Sequence, residues 1–119
     1  MVDLPPLLYE KPRRLLNEKI TSRTKMIMIN TPHNPTGTIL TKEDLLTLQT
    51  ITKNTDILVL SDEVYQHLIY DGSQHESVLR YPELYQRSIV TMSFGMTFHA
   101  TGWRIGYVIA PPQIMVEIR

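Results

Sequence analysis

Five side chains of different chemistry stand at the edges of apolar runs: the amide of Asn34, the carboxylate of Asp62, the phenol of Tyr65, the hydroxyl of Ser93 and the guanidinium of Arg104. Together they offer one ligand an acid, neutral hydrogen-bonding groups and a cation. Asp62 and Tyr65 are three residues apart, so a helical turn stacks them on one side. Gly95 and Met96 follow Ser93 directly. Each residue also has a plainer reading. Asn34 precedes a proline and starts a turn equally well. Asp62 and Ser93 are ordinary cap residues, Tyr65 at helical spacing is ordinary core, and Arg104 at a strand start is ordinarily a solvated charge. The functional reading gains force only when the residues are taken together.

Other chemistries find no support. The histidines, His33, His67, His75 and His99, lack metal-ligand spacing and read as surface or site-lining residues. No G-x-G-x-x-G, phosphate-binding G-x-x-x-x-G-K-[ST] or G-x-S-x-G motif is present. Without cysteine, disulfide, thiolate and zinc–cysteine chemistry are excluded. The 12 basic side chains balance 12 acidic ones, which argues against a nucleic-acid or acidic-membrane surface. No apolar run is long enough for a signal peptide or a membrane span. A soluble cytoplasmic chain of one domain at most is expected from 119 residues.

The elements that must position the five groups follow from periodicity. Residues 1–10 are irregular, and Pro12 opens a helix through about Ile20. Residues 25–30 form a strand, and the TPHNPTG stretch, 31–37, a loop. Thr41 caps a helix in which Leu45, Leu48 and Ile51 share a face, with Asp44 completing a weak capping box and Asn54 stopping it. Ile57 to Leu60 is an apolar run suited to a strand covered on both faces. A short helix carrying Tyr65, Leu68 and Ile69 ends at the Asp71-Gly72 turn. Residues 76–87 form a mostly helical connector interrupted by Pro82. Residues 88–94 and 104–110 are strands separated by the loop 95–103, and a final helix follows Pro111-Pro112. Helical connectors between the first three strands imply a parallel sheet. The nine-residue loop is too short for a parallel crossover, so the fourth strand runs antiparallel. The fold class is therefore α/β, a three-layer αβα arrangement with a mostly parallel sheet and one antiparallel edge strand. Ligands in such sheets bind beyond the carboxyl ends of the parallel strands. Asn34, then Asp62 and Tyr65, then Ser93, Gly95 and Met96 leave three such ends.

Asn34-Pro35-Thr36-Gly37, Ser61-Asp62-Glu63-Val64-Tyr65, Ser93-Phe94-Gly95-Met96 and Gly102-Trp103-Arg104-Ile105-Gly106-Tyr107 together resemble the class I/II aminotransferases of the pyridoxal-phosphate fold type I. The wording is most similar to the methionine and kynurenine aminotransferase branch, from about Lys25 to the end. The resemblance implies a pyridoxal 5'-phosphate cofactor, with an amino acid and a 2-oxo acid as substrates. It also implies roles. Asp62 would pair with the pyridine nitrogen and keep it protonated, so that the ring acts as an electron sink. Asn34 and Tyr65 would hydrogen-bond the ring's phenolic oxygen. Ser93 and Arg104 would bind the phosphate, for which the arginine fork is suited.

Met96 departs from the pattern, because the family places lysine three residues after the serine. That lysine bonds covalently to the cofactor aldehyde and later moves the substrate proton. Methionine matches its length but supplies neither a nucleophilic amine nor a base. Losing acid–base catalysis alone costs about 10²–10⁴-fold in rate, so the chain is expected to be inactive as written. The resemblance further implies that residues 1–119 are a partial large domain of a homodimeric enzyme. The N-terminal part and the small C-terminal domain of the family would be absent, and the isolated chain would associate or dissolve poorly. A carbon–sulfur lyase or synthase of the same fold, or a non-catalytic relative, shares these cofactor motifs.

Overall fold

A computed structural model of the chain describes Leu16 and residues 18–118. The expected irregular residues 1–10 and most of the Pro12–Ile20 helix lie outside the described residues. Four strands, β1 (Met26–Asn30), β2 (Leu58–Asp62), β3 (Ser88–Ser93) and β4 (Gly106–Ile109), form one sheet in the order β1-β2-β3-β4. The β1–β2 and β2–β3 pairs are parallel and β3–β4 is antiparallel, as the loop length required. Helices α1 (Lys42–Thr52), α2 (Pro82–Tyr85), α3 (Phe94–Thr97) and α4 (Pro112–Ile118) surround the sheet, with 3₁₀ turns at Val78–Arg80 and Thr101–Trp103. This is a mostly parallel α/β sheet of the αβα type.

The α1 boundaries are set locally. The Thr41 hydroxyl accepts from the Asp44 N–H at 3.2 Å, and the Asp44 carboxylate accepts from the Thr41 N–H at 2.9 Å. The capping box is thus complete rather than weak, although Asp44 is shorter than the usual glutamate. Asn54, just past the helix, takes φ 59°, the left-handed stop expected of asparagine. Leu45 and Leu48 of α1 pack with Ile27, Ile57, Val59, Val78, Tyr81, Leu84, Val90 and Met92 in the core. Burying one such aliphatic side chain stabilises by about 1.5–3 kcal/mol.

Several elements differ from expectation. The apolar run 57–60 suits a strand covered on both faces, but β2 buries only alternate residues, Val59 and Ser61, and leaves Leu58 and Leu60 half-buried. The expected helix around Tyr65 is a run of tight turns instead. The Gln66 N–H donates to Glu63 O at 2.9 Å and the Leu68 N–H to Tyr65 O at 2.8 Å. Leu68 and Tyr70 are exposed, so this stretch lacks the packed face that sustains a short helix. The 95–103 stretch is not plain loop, since it contains part of α3 and a 3₁₀ turn. The fourth strand begins at Gly106 rather than residue 104. Arg104 adopts φ 53°, a left-handed conformation that a strand cannot contain.

Candidate active site

The register of the sheet brings the polar groups together. Asn30 at the end of β1 pairs with Asp62 at the end of β2, and Asp62 with Thr91 on β3. Asn30 then links the first two loops. Its Nδ2 donates to the Asp62 carbonyl at 3.2 Å, and its Oδ1 accepts from the Asn34 N–H at 2.9 Å. The Thr31 N–H also donates to the Asp62 carbonyl, at 3.0 Å. Asn34 Nδ2 donates to the Tyr65 hydroxyl at 3.0 Å, so an amide and a phenol 31 residues apart share one hydrogen bond.

On the other side, Gly106 pairs with Ser93. A Cβ at Gly106 would lie 2.4 Å from the Met92 carbonyl oxygen, so β3 and β4 meet only because this residue is glycine. The Phe94 N–H donates to Ile105 O at 3.1 Å and closes the base of the 94–105 segment. Arg104 is thereby returned to Ser93.

A cavity of ≈ 520 Å³ opens at this edge, lined by Asn34, Asp62, Tyr65, Ser93, Met96 and Arg104. All six positions singled out in the sequence therefore face one space. Asn30, Thr91 and Thr101 also line it and went unremarked in the sequence. Asn30 carried a signal, since a polar residue closing an apolar strand marks the ligand end of a parallel sheet. The plainer readings of two residues fail. Ser93 makes no side-chain cap hydrogen bond to α3. Asp62 precedes no helix, and its Oδ1 accepts only a 3.3 Å bond from the Val64 N–H.

His75 corrects the reading of the histidines as surface or site-lining. It lies away from the cavity, nearly buried, with Nε2 2.8 Å from Glu63 Oε2. A lone histidine gives no spacing signal, and its partner is 12 residues away.

The pattern of the class I and II aminotransferases matches residues 10–119. The chain belongs to that family. Methionine aminotransferase of Escherichia coli is 42% identical over 100 residues, covering 84% of this chain and 26% of the relative. Human kynurenine–oxoglutarate transaminase 1 is 42% identical over 101 residues, 85% of this chain and 24% of the relative. A crystal structure from Escherichia coli reported to have a methionine aminotransferase function superposes with a TM-score of 0.90 at 37% identity, covering 98% of this chain and 31% of that one. The chain spans about a quarter of the length of the curated relatives it matches.

Class I and II aminotransferases use pyridoxal 5'-phosphate, and the cavity can be tested against that group. One carboxylate, one phenol–amide pair, one hydroxyl and one guanidinium meet the needs of a basic ring nitrogen, a ring hydroxyl and a phosphate. Neither the Ser93 hydroxyl nor the Arg104 guanidinium has a hydrogen-bond or ion-pair partner among the described residues, so both are available to an anion. Gly95 packs its backbone tightly under the cavity, where a Cβ would lie 3.0 Å from Thr101 Cα. The non-covalent donors and acceptors fit the cofactor. Met96, half-exposed on the cavity wall, does not fit a covalent anchor.

Proposed function

We propose that this chain is the pyridoxal-phosphate-holding part of the large domain of an aminotransferase that exchanges an amino group between an amino acid and a 2-oxo acid, and that Met96 keeps it from turning over. The observation that carries the reading is the single cavity shared by Asp62, the Asn34–Tyr65 pair, Ser93 and Arg104. In this reading Asp62 holds the pyridine nitrogen protonated. Asn34 and Tyr65 orient the ring through its hydroxyl oxygen. Ser93 and Arg104 grip the phosphate. Bound there, the cofactor supplies an electron sink for the substrate α-carbon. At position 96 the chain offers a thioether, which neither bonds to a carbonyl carbon nor carries a proton.

The large domain of the family is read here as one half of a homodimer. Phe94, Phe98, Trp103, Ile105 and Tyr107 are exposed large apolar side chains within one short stretch beside the cavity, which supports burial against further protein surface. Among the described residues no helix is long and apolar enough to cross a membrane.

Met96 also favours a second reading, a relative that binds the cofactor without catalysis. Met96→Lys in the full-length context separates the two. The expected result is covalent attachment of pyridoxal phosphate at residue 96 that survives borohydride reduction, with transamination of methionine and aromatic amino acids rising at least about 10²-fold over Met96. Covalent attachment without transamination would favour the non-catalytic reading. A revertant that takes up no cofactor would remove the aminotransferase reading.

A further inference from the structure

Ser61 near the end of β2 and Glu63 just past it are wholly buried, while Asp62 between them lines the cavity. A buried carboxylate is costly unless each oxygen has partners. Here both do. Oε1 accepts from the Ser61 hydroxyl at 2.9 Å and from the Val78 N–H at 3.2 Å, and Oε2 accepts from His75 Nε2 at 2.8 Å. The other ring nitrogen, His75 Nδ1, is buried and makes no hydrogen bond.

These contacts join the last residues of β2 to residues 75–78, across the whole segment that carries Tyr65. Asp62 has only one weak side-chain hydrogen bond of its own, so the direction of its carboxylate is set by its backbone. Glu63 fixes that backbone from the next residue. Well-packed apolar side chains often serve stability as well as buried charged groups do, so stability alone does not account for a carboxylate next to Asp62.

We propose that Glu63 is a positioning residue. Through Ser61, His75 and Val78 it aims the Asp62 carboxylate and the Tyr65 phenol at a pyridine ring in the cavity, without touching the ligand. The claim rests on the cofactor reading above and adds to it the device that orients the acid.

The test needs no lysine at position 96. In the same full-length context, the protein is titrated with pyridoxamine 5'-phosphate carrying ¹⁵N in the ring, and the ring-nitrogen shift and dissociation constant are measured. The unaltered chain should bind with the shift of a protonated nitrogen. Glu63→Ala should move that shift toward the neutral value and weaken binding about tenfold, the effect of a misdirected charge-assisted hydrogen bond. Glu63→Gln, which keeps an oxygen for Ser61 and Val78, should recover most of both. Ser88→Ala removes a buried hydrogen bond to Leu84 O far from the cavity and should change neither. If circular dichroism shows Glu63→Ala unfolded, His75→Ala takes its place. A folded Glu63→Ala or His75→Ala chain with the unaltered shift and affinity would overturn the positioning role while leaving the cofactor reading intact. An unaltered chain with no affinity for pyridoxamine 5'-phosphate would overturn both.

Discussion

Two of the segments that line the cavity, residues 62–78 from the end of β2 onward and 94–105 after β3, are held in opposite ways. The first is tied across its length by a buried carboxylate that joins Ser61, His75 and Val78. The second is held by its own short-range bonds: Phe98 N–H to Phe94 O, Ala100 N–H to Gly95 O and Trp103 N–H to Ala100 O. Its side chains face outward, with Phe98 68% and Trp103 77% exposed. Its aromatic contacts, Phe94 with Phe98 at 6.0 Å and with Tyr107 at 5.0 Å, also stay within the segment and the strand it enters. The first segment carries the acid and the phenol, whose direction matters. The second carries Arg104, whose long side chain reaches the cavity from a backbone held only by bonds within its own segment. The acid and the phenol are thus presented by a segment tied to the core, and the arginine by one tied to itself.

This contrast can be broken from either side. The largest effect is expected at Glu63. Glu63→Ala leaves the buried Ser61 hydroxyl, Val78 N–H and His75 Nε2 without their acceptor, at about 1–3 kcal/mol for each unsatisfied group, so it should lower the urea midpoint sharply. The same residue should govern acid sensitivity. Burial alone raises the Glu63 carboxyl, but the hydrogen bonds from His75 and Ser61, with the Ser77 hydroxyl nearby, outweigh it and hold the group below its ordinary value of 4.5. A carboxyl lowered in the folded state contributes stability above 4.5 that is lost as the pH falls through its lower folded value. The loss of stability below about pH 4.5 should therefore be steeper in the unaltered chain than in Glu63→Gln, which an acid series of urea titrations will show.

A smaller effect is expected where the second segment meets β4. Gly106→Ala forces a methyl group against the Met92 carbonyl, which should cost about 1–3 kcal/mol by the same titration. The smallest is expected at the surface of that segment. Trp103→Ser should change stability by less than about 0.5 kcal/mol while reducing self-association in sedimentation. A large stability loss there would mean that the 94–105 segment is packed more firmly than its exposure indicates.

Much of the sheet was legible in the sequence because its signals are local. Apolar runs bounded by Asn30, Asp62 and Pro111 located the strands, and the short 95–103 connection implied the antiparallel pair. Asn34, Asp62, Tyr65 and Ser93 were legible as candidates because strand ends in a parallel sheet are where ligand groups collect, whereas Arg104 joined them only through the family resemblance. What escaped depends on contacts between distant residues. Nothing near Glu63 announces that His75 and Val78 will reach its carboxylate, and the pattern of Tyr65, Leu68 and Ile69 looks helical until Leu68 is found exposed. Arg104 likewise reads as the first residue of a strand, and only the closure of the 94–105 segment gives it a left-handed φ.

The strand order equals the chain order. As the polypeptide leaves the ribosome, each of β2, β3 and β4 therefore meets a described neighbour that is already made. Pairing can advance in step with translation at about 5–20 residues per second. The two walls of the cavity are then completed in sequence, the carboxylate-tied side before the arginine side.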